Sequence, residues 1–108
     1  MIRYDMNRSG CISADRIARD VAAATEFLAR RPGVQRVWLF GSAAKGRNLD
    51  WRSDLDFAVE GLAADALERT WSHLHQQLEL PVDLVRWETA SDTLKHEVHQ
   101  WGKLLYEA

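Results

Sequence analysis

Apolar and polar positions along the chain fall into a succession of segments with distinct periods. From Ser13, a suitable N-cap, Ile17, Val21, Ala24 and Leu28 recur at i, i+4, i+7 and i+11, which predicts an amphipathic helix ended by Pro32-Gly33. Val34 to Phe40 is apolar with a β-branched and aromatic bias, and it stops abruptly at Gly41-Ser42, as a buried strand feeding a turn does. Ala43-Ala44-Lys45 then reads as one helical turn closed by Gly46, and Arg47 to Ser53 as a loop. From Asp54 to Val59 the period changes to two. Asp54 and Asp56 share one face of this second strand, Leu55, Phe57 and Val59 share the other, and the strand ends near Gly61.

Helical spacing returns in Leu67, Trp71, Leu74 and Leu78 within Leu62 to Leu80, and Pro81 ends it. A third strand follows in the apolar run Leu80 to Val85, interrupted by Asp83. A last helix from about Ser91 carries Leu94, Val98, Trp101 and Leu105. Met1 to Ile12 has no periodicity and reads as an irregular extension without assigned role, leaving residues 13–108 as a single domain. The order αβ(turn)βαβα predicts an α/β (α+β) fold with a small mixed sheet of about three strands. For Gly41-Ser42 to meet Asp54, the first two strands must be antiparallel. For Asp83 to join them, the second and third must be parallel, with the intervening helix as the crossover.

A chain of 108 residues can bury one modest core without crosslinks. Its single cysteine, Cys11, excludes an intramolecular disulfide and suits a reducing compartment; no stretch resembles a signal or a membrane span, so the expected location is the cytoplasm. The formal net charge of −2 argues against a general nucleic-acid binder, and hence against a template-copying polymerase. Basic residues do cluster locally, at Arg30-Arg31 and across Lys45, Arg47 and Arg52. Of the tryptophans, Trp38, Trp71 and Trp101 fall on apolar faces and are expected in the core, whereas Trp51 stands in a polar loop where it can stack on a base, meet a partner or anchor the loop. Trp87 is ambiguous. His73, His75, His96 and His99 come without the further ligands a zinc site needs and are expected on helix surfaces.

Three features carry the chemistry. Gly41 at a strand end allows a phosphate to approach the backbone, the N–H groups near Ser42 point outward as an anion cradle, and the Ser42 hydroxyl adds a donor. Asp54 and Asp56, on one face, repel each other unless a cation sits with them. Asp83 places an acid inside an apolar run, where a partner or a metal is the usual reason. Each has a bland reading taken singly: an ordinary turn, solvated acids at a strand entry, an edge residue facing water. Their coincidence at strand ends that can meet favours a metal-dependent site for phosphoryl chemistry.

On these residues the chain resembles the minimal nucleotidyltransferases (MNT) of the DNA polymerase β superfamily. The family pattern of Gly-Ser, a short turn, Ser-Asp-x-Asp and a later lone Asp stands here as Gly41-Ser42-Ala43-Ala44-Lys45-Gly46, Ser53-Asp54-Leu55-Asp56-Phe57 and Val82-Asp83-Leu84-Val85. The ending Gly102 to Glu107 also resembles that of the family, so the likeness runs from about Val34 onward. Lys45 stands where arginine is commoner, and the loop before Asp54 looks one residue longer than usual.

The resemblance implies transfer of a nucleoside monophosphate, AMP from ATP, to an acceptor hydroxyl. Asp54 and Asp56 would hold two Mg²⁺ ions, Asp83 would complete the second metal site and help deprotonate the acceptor, Gly41 and Ser42 would seat the β and γ phosphates, and Lys45, Arg47 or Arg52 would neutralise charge. It further implies a HEPN-domain toxin ribonuclease as partner, in a hetero-oligomer in which this chain is the antitoxin that adenylylates it. Two alternatives stand beside this: an antitoxin that acts by complex formation alone, and a small-molecule nucleotidyltransferase.

Overall fold

The computed structural model describes residues 11–50 and 52–108, so the expectations for Trp51 and for residues 1–10 lie outside the described residues. Helix α1 spans Ala14–Ala29, with the Ser13 hydroxyl accepting from the Arg16 N–H as its N-cap. Strand β1 (Arg36–Phe40) runs into the one-turn helix α2 (Gly41–Ala44), and β2 (Leu55–Glu60) follows. A 3₁₀ turn at Ala64–Ala66 leads into α3 (Leu67–Gln77), then come β3 (Val82–Arg86), a second 3₁₀ turn at Trp87–Thr89, α4 (Asp92–Trp101) and β4 (Lys103–Glu107). The predicted pairings are present: β1 and β2 are antiparallel, β2 and β3 parallel, joined through α3.

The sheet has four strands, in the order β3-β2-β1-β4, where about three were expected. The difference lies at the C-terminal side. The helical spacing from Leu94 continues in sequence to Leu105, but α4 stops at Trp101 and Lys103–Glu107 pairs antiparallel with β1. Two causes act together. Gly102 is a poor helix former, and its backbone passes so close to its neighbours that an added Cβ would stand 2.5 Å from the Val98 carbonyl oxygen and 3.2 Å from that of Leu39. The outer edge of β1 also carries backbone groups that need partners, and β4 supplies them.

Alternation along the strands divides the core between two faces. On one, Val37, Leu39, Leu55, Phe57 and Val59 pack with Leu28 of α1 and Leu74 of α3. On the other, Trp38, Phe40 and Ala58 pack against Val98 of α4. Ile12, on the far side of the expected boundary at residue 13, is buried in the first cluster, and its N–H donates to the Leu49 carbonyl at 2.6 Å.

Asp20 is a buried acid on α1, and both its carboxylate oxygens are used. Oδ1 accepts from the Glu79 N–H at 3.2 Å and Oδ2 from the Leu80 N–H at 2.8 Å, which fixes the turn from α3 into β3 and so the height of Asp83. Of the three tryptophans expected in the core only Trp38 is buried. Trp71 and Trp101 are exposed at 37% and 53%; Trp71 lies at the margin of the α3 contact, where its indole N–H donates to the Val82 carbonyl at 2.7 Å, and Trp101 is the last residue of α4.

Candidate active site

Asp56 is in register with Phe40 of β1 on one side and with Asp83 of β3 on the other. Residues paired across a ladder point to the same face, so Asp56 and Asp83 are neighbours on adjacent strands about 4.8 Å apart. Asp54 lies one residue before β2, two positions from Asp56, and is exposed. The acids thus form a row on the α4 face of the sheet, while Leu55 and Phe57 are buried on the opposite face, as the alternation predicts. Asp83 lies on an edge strand and is exposed, which meets both readings of it: it faces water and it stands beside a second acid.

Gly41 has φ +73°, a conformation that side-chain-bearing residues rarely adopt. A Cβ at that position would fall on the Asp56 carboxylate, so the turn after β1 lies directly against the central acid. Ser42 follows as the second residue of α2, whose first N–H groups, as in any helix, lack intrahelical acceptors. Lys45 caps the C-terminal end of this turn and is exposed. Arg52 is exposed in the loop, its N–H donating to Asp50 Oδ1 at 2.9 Å. Arg47, by contrast, lines a cavity of about 520 Å³ together with Leu39 and Lys103, whose side chains lie on the sheet face opposite the acids.

The electrostatics of the row are dominated by Asp56. Its carboxyl is pushed up from 3.8 to about 6, first by burial and then by the negative charges of Asp83, Asp54 and Glu97. Glu97 belongs to α4, next to the buried Val98 that seats this helix on the sheet. Nothing in its local sequence announces it; only the packing of α4 over β1 and β2 brings it to the acids.

Among the described residues no three His, Cys, Asp or Glu side chains already converge into a cage for a metal ion. The donor set nevertheless fits a hard divalent cation. It consists of carboxylates in mutual repulsion, and magnesium characteristically takes one or two such oxygens and completes its shell with substrate phosphates and water.

The family of polymerase β nucleotidyltransferase domains matches residues 23–108, a range that contains every element of this site. The chain belongs to that family. This polymerase β-type nucleotidyltransferase is similar to solved toxin–antitoxin structures. A chain of the complex of tri-AMPylated Shewanella oneidensis HEPN toxin with MNT antitoxin matches at 27% identity and a TM-score of 0.66, over 86% of this chain and 73% of that one. A toxin–antitoxin structure with AMP-PNP matches at 29% identity and a TM-score of 0.64, over 87% and 73%. A putative nucleotidyltransferase from Sulfolobus solfataricus, at 19% identity and a TM-score of 0.54 over 86% and 85%, shares the fold. No curated protein matches this nucleotidyltransferase by sequence. Among the described residues no helix is long and apolar enough to cross a membrane.

Proposed function

We propose that this nucleotidyltransferase moves AMP from ATP to a hydroxyl of a HEPN-family toxin and thereby neutralises it as its antitoxin, in a cytoplasmic hetero-oligomer. The observation that carries the reading is the row of Asp54, Asp56 and Asp83 set directly against the Gly41-Ser42 turn. The similarity to a tri-AMPylated HEPN toxin–MNT antitoxin complex and to a toxin–antitoxin structure with AMP-PNP supports the donor and the partner.

In this reading Gly41 and Ser42 seat the β and γ phosphates, and Asp54 and Asp56 hold two Mg²⁺ ions, with Asp83 completing the second site. Bound magnesium supplies charge neutralisation at the α phosphate and at the departing pyrophosphate. The acceptor oxygen attacks the α phosphorus, the bond from that phosphorus to the α–β bridging oxygen breaks, and pyrophosphate leaves. Asp83, at the open edge, takes the acceptor proton and passes it to water. Lys45 and Arg52 lie on the turn and loop around the triphosphate and offset its charge.

The test is the intact mass of the product of the neighbouring gene, or of a HEPN-family toxin if that product is not one, after incubation with this chain, Mg²⁺ and each nucleoside triphosphate in turn. One or more AMP-sized increments with ATP, absent with the Asp54→Ala/Asp56→Ala protein, are expected. A stable complex without any increment would instead make the chain an antitoxin that acts by binding.

A further inference from the structure

Positive charge gathers at one place that the transfer chemistry does not use. The chain carries 16 Asp and Glu against 14 Lys and Arg, so carboxylates are in supply for its guanidinium groups. Arg16, Arg30, Arg36 and Arg86 are each paired with a glutamate. Among the described residues Arg31 and Arg69 form no ion pair, and both line one cavity of about 240 Å³ together with His73.

Phe27 of α1 positions two of these three donors. The Arg31 guanidinium lies over its ring at 4.3 Å while Arg31 Nε donates to the Phe27 carbonyl at 3.3 Å, and the His73 ring meets the same ring at right angles, 6.1 Å between centres. Among the described residues the two terminal nitrogens of Arg31 make no hydrogen bond, so the planar fork is held in place with donors to spare. Arg69 and His73 are four residues apart on α3 and share one face of that helix. The cavity is remote from the acids. It lies at Leu62, past the C-terminal end of β2, whereas Asp54 and Asp56 lie at the N-terminal end, and about 13 Å of strand separates Asp56 from Glu60. Leu62 packs in the core on the α1–α3 face, so the cavity also lies on the side of the sheet opposite the acid row.

We propose that this cavity is a separate anion site that takes one free phosphate-class oxyanion, inorganic phosphate or pyrophosphate. The class follows from the donors and from the size. Two guanidinium forks and an imidazole N–H can serve several oxygens of one tetrahedral ion with charge-assisted hydrogen bonds. A volume of about 240 Å³ falls below the roughly 300–1,000 Å³ usual for drug-sized ligands, which suits a small ion and not a nucleoside triphosphate. Asp65, the one acid among the described lining residues, opposes the ion and limits its affinity. The proposal does not depend on the transfer reading, because the cavity shares no residue with the acid row. An ion bound there bridges α1 to α3 and stabilises the fold by mass action.

The experiment titrates sodium phosphate and sodium pyrophosphate separately into the full chain, in metal-free buffer at constant ionic strength, followed by calorimetry and by amide chemical shifts. Saturable binding of at least one ion is expected, with shifts centred on Arg31, Arg69 and His73, and the tighter ion names the ligand. Arg69→Ala is expected to weaken this binding roughly tenfold, with the thermal midpoint of the ion-free protein unchanged. Arg31→Lys, which keeps the charge and loses the fork, is expected to weaken it less. Asp65→Asn is expected to tighten it about two- to fivefold. Shifts confined to Gly41 and Ser42, an affinity in Arg69→Ala equal to wild type, or no saturation with either ion would overturn the proposal.

Discussion

At Gly41 and Asp56 two side-chain positions compete for one volume. Gly41→Ala would force a strained backbone at φ +73° and drive a methyl group into the Asp56 carboxylate. A loss of about 1–3 kcal/mol in urea unfolding is expected, together with loss of nucleotide transfer. Asp56 itself is held in a costly state at neutral pH. Its pKa of about 6 in the fold lies above the ordinary 3.8. The folded state therefore favours the protonated acid, and the stability this contributes is full below about pH 4 and lost as pH rises through about 6. Asp56→Asn, neutral at every pH, should raise the thermal midpoint by a few degrees near neutrality in metal-free buffer and lose that advantage near pH 4. A pH-independent difference would contradict the account. The acids at 54, 56 and 83 were legible because a period-2 strand and an acid in an apolar run are local signals. Glu97 was not, because its role depends on where α4 lies across the sheet.

The elements follow from spacing and caps, except where tertiary contacts decide. Helix α1 begins after Ser13 as expected, yet Asp20, on the apolar side three residues after Ile17, is where α1 grips the α3–β3 turn. The signal was there: an acid on an otherwise apolar face. Asp20→Ala leaves two backbone N–H groups without their acceptor and should cost about 1–3 kcal/mol, read by urea unfolding with an unchanged slope. A cost below about 0.5 kcal/mol would show that water replaces the carboxylate. The last helix ends at Trp101, short of its helical spacing, because Leu105 continues that period and also fits a strand. One residue, Gly102, and an unpaired edge of β1 settle between them. Helical spacing likewise marked Trp71 and Trp101 as apolar-face residues without showing where each contact ends.

At the scale of the molecule, the described residues form a sheet with one face closed by α1 and α3 and the other, among these residues, only partly covered by α4, and the acids lie on that second face. Antiparallel and parallel pairings were legible because the chemistry demanded that three strand ends meet. The fourth strand was not, since nothing in the proposed chemistry requires it. Arg36 ties three strands together across that sheet, its Nη1 donating to Glu60 and its Nε to Glu107, each at 2.7 Å. The group is solvent-accessible, so Arg36→Ala is expected to leave the thermal midpoint almost unchanged, and a clear drop in thermal unfolding would mean that β4 depends on these ion pairs more than on its backbone ladder.

The contact between the Gly41 turn and the Asp56 carboxylate has a consequence beyond packing. A triphosphate on the turn and a cation on the acid would be felt by one another through a single shared wall. Whatever factor the first adds to the grip on the second, the second must return to the first, whichever arrives earlier. A cell short of either would find the protein holding the other loosely, so the pair would be sensed as one signal.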